Sequence, residues 1–153
     1  MSEYQATISW QRDEQKFTDK RYSRGHQWQF DGGAVIQASS SPSVVPLPWS
    51  VAENVDPEEA FVAALSSCHM LTFLALAAKA GWPVASYHDH VVAHLGKTPK
   101  GKMSVSRLDM HPVVRFDTGF QVNDADLAEM QHRAHRYCFI ANTLADFVEI
   151  NIH

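Results

Sequence analysis

The segment from Asp56 to Gly81 constrains this chain more than any other. Asp56-Pro57-Glu58-Glu59 has the form of a helix start. Asp56 is placed to cap, Pro57 takes the first helical position, and Glu59 completes a reciprocal capping box. The pattern then runs to about Ala80, where Gly81 offers a left-handed stop and Pro83 bars continuation. Between Ala60 and Ala78 the residues are apolar almost all round. That length reaches the span of a bilayer. Ser66, Ser67, His69 and Thr72 interrupt it, however, and no second segment resembles it. A helix apolar on every face is expected at the centre of a soluble protein, buried on all sides.

The flanking segments alternate with period two. Tyr4, Ala6, Ile8 and Trp10 predict a half-buried strand. Trp28 to Phe30, a turn at Asp31-Gly32-Gly33, and Ala34 to Ala38 predict a hairpin. Ser39 to Asn54, with Pro42, Pro46 and Pro48, reads as a long surface loop. After the helix, strands are expected over Val84–Leu95, Met103–Met110 and Val113–Phe116. Asn123 or Asp124 caps a second helix reaching about Tyr137. Cys138 follows, then a helical piece over Phe139–Ala145 and a last strand from Phe147 to Ile152. Strands, central helix, strands, helix and strand in one domain over 1–153 give an α+β class with antiparallel sheets around the long buried helix.

The formal charge is −4, from 13 basic and 17 acidic residues. Lys and Arg are not clustered, so nucleic acid is not an expected partner. The polar start Met1-Ser2-Glu3-Tyr4-Gln5 has no export pattern, which predicts a cytoplasmic location and no membrane association. There a permanent structural disulfide between Cys68 and Cys138 is not expected. Two inert buried thiols are one reading of the pair. Cys68 lies mid-helix in apolar surroundings, which should raise its pKa unless a cation is near. His69 points about 100° away around the helix and reads as a packing or hydrogen-bonding residue. Cys138 sits between two helical pieces; capping the second would favour its thiolate.

The nine histidines raise a metal-binding alternative. His88 and His90 would share a strand face, and His132 and His135 a helix face. Neither pair is joined by a Cys or carboxylate signature, and no metal or other cofactor is expected. Tyr22-Ser23-Arg24-Gly25-His26-Gln27-Trp28 gathers a guanidinium, an imidazole and an indole ahead of the glycine turn. It reads either as a polar strand edge or as a site whose Arg24 lowers a thiolate pKa and holds a substrate oxygen.

The stretch from Asp56 to Cys68 resembles the signature helix of the OsmC/Ohr family of hydroperoxide reductases. That signature is an Asn/Asp-Pro-Glu start, small and apolar residues, and a cysteine ten positions after the glutamate. Cys138 with Asn142 matches the family's second landmark. The resemblance implies a swapped α+β homodimer and a thiol peroxidase acting on organic hydroperoxides. Cys68 would be the peroxidatic thiolate, Cys138 the resolving thiol, Arg24 the site arginine (Arg21 being the other candidate), and Glu58 its orienting carboxylate. An external dithiol would restore both thiols. His26 and Trp28, with the apolar Phe61, Met70, Leu71 and Phe73, are expected to line the substrate site. Two departures stand out: Phe139 replaces the usual proline after the second cysteine, and the arginine lies in Arg24-Gly25-His26 rather than Arg-Asp-Gly. A non-catalytic apolar-ligand-binding stress protein on the same fold is the rival reading. Glu58 and Cys68 lie about 15 Å apart along the helix and about 80° around it. An antiparallel second copy of the helix, with its axis near Ala63, would bring Glu58 of one chain level with Cys68 of the other. Ala60, Ala63, Ala64 and Ser67 would permit the close approach.

Overall fold

A computed structural model describes residues 1–153 and places them in two compact units, Met1–Ala60 and Phe61–His153. In the first unit, β1 (Ala6–Ser9), β2 (His26–Phe30) and β3 (Val35–Ala38) form an antiparallel sheet in that order. The β2–β3 turn is the one expected: Gly33 takes a positive φ of 90°, and its N–H donates to Phe30 O at 3.0 Å. Every residue of β1 is exposed, so the alternation of Tyr4 to Trp10 finds no covered face within this chain. The loop after β3 returns to it through a bridge between Ala38 and Val55.

The long helix α1 spans Pro57–Lys79. Its start is the reciprocal cap read from the sequence: Glu59 N–H donates to Asp56 Oδ1 at 2.8 Å, and Asp56 N–H donates to Glu59 Oε2 at 3.1 Å. Gly81, at φ 75°, ends it. This helix is long and apolar enough to cross a membrane by length and composition, with a mean hydropathy of 1.8.

Burial corrects the expectation that every face is covered. Only Leu65, His69, Phe73 and Ala77 are buried, one stripe at four-residue spacing. Ala64, Ser67, Leu71, Ala75 and Ala78 form a second stripe that stays exposed. The helix is therefore central in composition but covered on one side only within the chain.

The second unit carries the rest of α1, two small sheets and α2 (Asp124–Tyr137). The single strand expected over Val84–Leu95 is two: β4 (Val84–Asp89) and β5 (Val92–Lys97). They belong to different sheets. β4 pairs with β7 (Pro112–Phe116), and β5 pairs with β6 (Met103–Met110). Asp89 holds the crossing, accepting from the Ser66 hydroxyl of α1 and from His111 N–H. β8 (Glu149–Ile152) adds to β6 in parallel, so the sheets are not wholly antiparallel. Asn123 caps α2 as expected, its Oδ1 accepting from Asp126 N–H at 2.8 Å. The helical piece expected over Phe139–Ala145 shrinks to a 3₁₀ turn at Ala141–Thr143.

Two cores follow from this layout. Phe73, Ala77, Met130 and Ala134 join α1 to α2 over the β4–β7 sheet. Leu65, Leu108 and Cys138 form the other, with Cys68, Ile140 and Ile150 packed against it.

Candidate active site

Cys68 and Leu65 are three residues apart, so they share one flank of α1. Leu65 is buried there, and Cys68 lies half-buried at its edge. Cys138 is fully buried in the same cluster, and both cysteines are free thiols. It closes the C-terminus of α2 with extended backbone, φ −72° and ψ 116°, and its N–H returns to His135 O. The chain then enters the 3₁₀ turn, and Ala141 N–H donates to Cys138 Sγ at 3.4 Å.

The two thiols ionise in opposite senses. Burial works to raise the Cys68 pKa. The Cys138 thiol, the N–H groups of Ile140 and Phe139, and the Thr72 hydroxyl outweigh it, so Cys68 lies below its ordinary value. The sequence argument made a lowered value depend on a nearby cation; a thiol, two amides and a hydroxyl lower it here. For Cys138 burial is the largest cause, the neighbouring Cys68 adds to it, and the thiol is pushed up to about 11. The amides of Ala141 and Ile140 do favour a Cys138 thiolate, but burial and the neighbouring Cys68 outweigh them.

His69 is buried at 1% exposure, and its Nε2 bonds Gln131 Oε1 at 2.7 Å. Burial is the main cause that lowers its pKa. It is held to α2, away from the thiol flank, as a packing histidine. Its Nδ1 and the Tyr87 hydroxyl are buried without partners.

The expected lining residues separate. Phe61 borders an open groove of about 300 Å³ with Val105, Leu144, Phe147 and Val148. Phe61, Val105, Leu144 and Val148 also pack against the cysteine cluster, so the groove adjoins the thiols. Met70 is half-buried, and Leu71 is 60% exposed on the open stripe of α1. Phe73 corrects the expectation. It is fully buried against α2, with its ring 5.5 Å from Tyr87, and has no surface to offer a substrate.

In the first unit, Arg24 stacks on Tyr22, its Cζ 3.7 Å from the ring centroid. Its Nη1 donates to Lys20 O at 2.9 Å and to Tyr22 O at 2.5 Å. None of the four ion pairs in the chain includes Arg24 or Glu58, so the expected bidentate pair between them is not formed within one protomer. The carbonyls of its own loop, rather than Glu58, orient the guanidinium. Arg21 makes no ion pair either; its backbone N–H donates to Asp19 Oδ1. His26 Nδ1 bonds Arg24 O at 2.7 Å, and Trp28 Nε1 donates to His26 Nε2 at 2.9 Å. Arg24 and His26 line a cavity of about 410 Å³ with Ile8, Trp10, Phe17 and Tyr22. Trp10, Phe17 and Tyr22 form an aromatic cluster with centroids 4.7–5.8 Å apart. The sequence reading missed Trp10 and Phe17 here; the Tyr22-x-Arg24 spacing was the available signal. No group of three or more His, Cys, Asp or Glu side chains is placed to hold a metal. His90 falls outside β4, so it does not share a strand face with His88.

The sequence profile described as OsmC-like protein matches residues 51–153, which include both cysteines. This chain belongs to the OsmC-like family. An OsmC-like protein of unknown function from Vibrio cholerae is 52% identical, with both chains covered completely and a TM-score of 0.95. An organic hydroperoxide resistance protein from Elizabethkingia anophelis shares the OsmC-like fold at 14% identity, TM-score 0.76, over 99% of this chain and 94% of that one. Another from Legionella pneumophila matches at 14% identity, TM-score 0.73, over 99% and 96%. A comparison with curated proteins finds no match.

Proposed function

We propose that this OsmC-like protein is a cysteine-based peroxidase that reduces organic hydroperoxides to alcohols in defence against peroxide stress. The observation that carries the reading is the packing of two free thiols in one cluster, with surroundings that lower the pKa of Cys68 and raise that of Cys138. A nucleophile must be a thiolate at working pH, and its partner must keep a proton until needed. Family membership and the hydroperoxide-resistance neighbours support the same chemistry.

In the proposed cycle the Cys68 thiolate attacks the distal oxygen of ROOH. The S–O bond forms as the O–O bond breaks, and the alkoxide takes a proton from water and leaves as ROH. Cys68 is now a sulfenic acid. The Cys138 sulfur displaces its hydroxyl, releasing water and forming a disulfide. An external dithiol reduces that bond by exchange and becomes a disulfide itself. The groove beside Phe61 and Leu144 would take the alkyl part of the substrate. Arg24 would polarise the O–O bond through Nη2 and Nε, which make no bond within the chain.

The exposed stripe Ala64, Ser67, Leu71, Ala75 and Ala78 supports an antiparallel homodimer through α1. Each Cys68 would then meet Glu58 of the partner chain. The test is consumption of cumene hydroperoxide with dihydrolipoate or dithiothreitol as reductant. Turnover lost in Cys68→Ser supports the reading. An intact chain that binds apolar ligands but leaves the hydroperoxide unreduced overturns it in favour of a binding protein.

A further inference from the structure

The backbone on both sides of the Arg24 Cα is fully paired. In the Ser23–Arg24 peptide, the Trp10 indole N–H donates to Ser23 O at 2.9 Å, and Arg24 N–H donates to Trp49 O at 2.8 Å. In the Arg24–Gly25 peptide, Gly25 N–H donates to Ser23 Oγ at 3.1 Å, and Arg24 O lies 2.7 Å from His26 Nδ1. Each donor and acceptor of the two peptides therefore has a partner. Of the three side chains among those partners, only the imidazole has to be set in one sense. An indole N–H can only donate, a hydroxyl turns to suit, and a ring nitrogen of histidine either donates or accepts.

Trp28 decides which. Its Nε1–H meets His26 Nε2 at 2.9 Å, so Nε2 presents a lone pair and carries no proton. The proton of the ring then sits on Nδ1, the nitrogen that faces Arg24 O. The opposite tautomer would set an N–H against the indole N–H and a lone pair against the carbonyl, losing both bonds. The two residues can meet because they are two apart on β2 and stand on one face of the sheet. His26 borders the cavity beside Arg24, but Trp28 does not, so the indole acts through the imidazole rather than on a ligand.

We propose that Trp28 and His26 are positioning residues for Arg24: the indole selects the Nδ1–H tautomer of His26, and that N–H fixes the Arg24 carbonyl. Its consequence for turnover rests on the reading of Arg24 as the group that polarises the peroxide. A donor aimed at developing charge is worth most when it is already in place before the substrate arrives. The guanidinium lies on the Tyr22 ring, and its Nη1 is committed to Lys20 O and Tyr22 O. With the backbone clamped as well, the free Nε and Nη2 edge is presented in one direction.

Nitrogen NMR of the imidazoles in the full-length protein reads the tautomer with no peroxide present, the His26 signals being those lost in His26→Asn. Wild type should show a protonated Nδ1 and a bare Nε2. A protonated Nε2 overturns the proposal, and this arm needs no variant of Trp28 to fold. Turnover of cumene hydroperoxide reads the consequence. Trp28→Phe keeps an aromatic ring but removes the donor, and should lower kcat/KM roughly three- to tenfold, the weight of one positioning hydrogen bond. His26→Leu should lose at least as much. His26→Asn should recover most of that loss, because its amide nitrogen takes the place of Nδ1 and donates without the indole. In the His26→Asn background, Trp28→Phe should then cost little more. An equal cost in both backgrounds would make Trp28 a packing residue and sink the idea. The Nε–H signal of Arg24 gives the same series without turnover: ordered in wild type and His26→Asn, averaged in Trp28→Phe and His26→Leu. That pattern in a protein that leaves hydroperoxide unreduced would keep this inference and remove the proposed function. An Arg24 signal indifferent to every variant, in an active peroxidase, would do the opposite.

Discussion

Asn151 donates its side-chain amide to Asp109 Oδ1 at 3.0 Å, across the parallel pairing in which the two residues are in register. The other oxygen, Oδ2, accepts from His94 at 2.8 Å and Arg107 at 3.1 Å. One carboxylate therefore ties β5, β6 and β8 together. Its neighbours in register, Leu108 and Ile150, belong to the cysteine cluster, so this fastening fixes one wall of the site.

The Asn151 bond is the largest cause holding Asp109 down to about 2, with His94, Arg107 and His153 adding to it against burial. A folded pKa below the unfolded one means the unfolded chain takes up the proton first as pH falls. The stabilisation is present above about pH 4 and disappears as pH drops to about 2. Thermal melts should show wild-type Tm falling across that window. Asp109→Asn should have a lower Tm at pH 7 and a flatter profile below pH 4.

Cys138→Ala should act on Cys68 in two ways. It removes the leading group that lowers the Cys68 pKa, so alkylation of Cys68 at neutral pH should slow. It also removes the resolving thiol, so one equivalent of organic hydroperoxide should leave a sulfenic acid that a cyclic diketone traps. In wild type the same treatment should consume both thiols as a disulfide. Free Cys138 in oxidised wild type would assign the second step to the external reductant.

Phe73 and Leu71 sit two residues apart on α1 with opposite surroundings. Phe73→Ala should cost about 3–5 kcal/mol of stability by leaving a cavity, with hydroperoxide specificity retained in the folded protein. Leu71→Asp should leave the chain folded and shift it toward monomer in sedimentation, because this position faces away from the chain's own core. Altered specificity in the Phe73 variant would return that residue to the substrate site.

His69→Ala should destabilise by about 2–4 kcal/mol, since it leaves a cavity and an unpaired Gln131. His69 has a folded pKa below 6.5, chiefly through burial. The unfolded state therefore gains the proton first, and wild-type stability should fall as pH drops below about 6.5. Denaturant titrations at pH 7.5 and 5.5 should differ less in the variant.

Local signals in the sequence were legible because their physics is local. The Asp56–Glu59 cap, the Gly81 stop, the Asn123 cap and the junction at Cys138 depend on residues within one turn. The break at His90-Val91 was not legible, because apolar alternation continues through it and only the tertiary bridge at Asp89 marks the crossing. The parallel placing of β8 was hidden for a related reason: period two reports a strand, not its neighbour. Phe73 was assigned to the substrate site because helix composition alone does not say which apolar face meets α2. A lowered Cys68 pKa was expected only with a cation near, whereas several of the groups that lower it come from a turn far along the chain. Arg24 was singled out by its company, but within one protomer its Nη1 goes to its own loop carbonyls and no pair with Glu58 forms.

The two sulfurs are mounted on supports of unequal stiffness. Cys68 rides on a long continuous helix pinned through Ser66 and His69 to two other elements. Cys138 hangs between the end of α2 and a single 3₁₀ turn. In the proposed cycle, where these sulfurs bond and part, the displacement should fall on the softer mount. Amide hydrogen exchange should therefore register the oxidation state over residues 137–144 while the middle of α1 keeps its protection in both states.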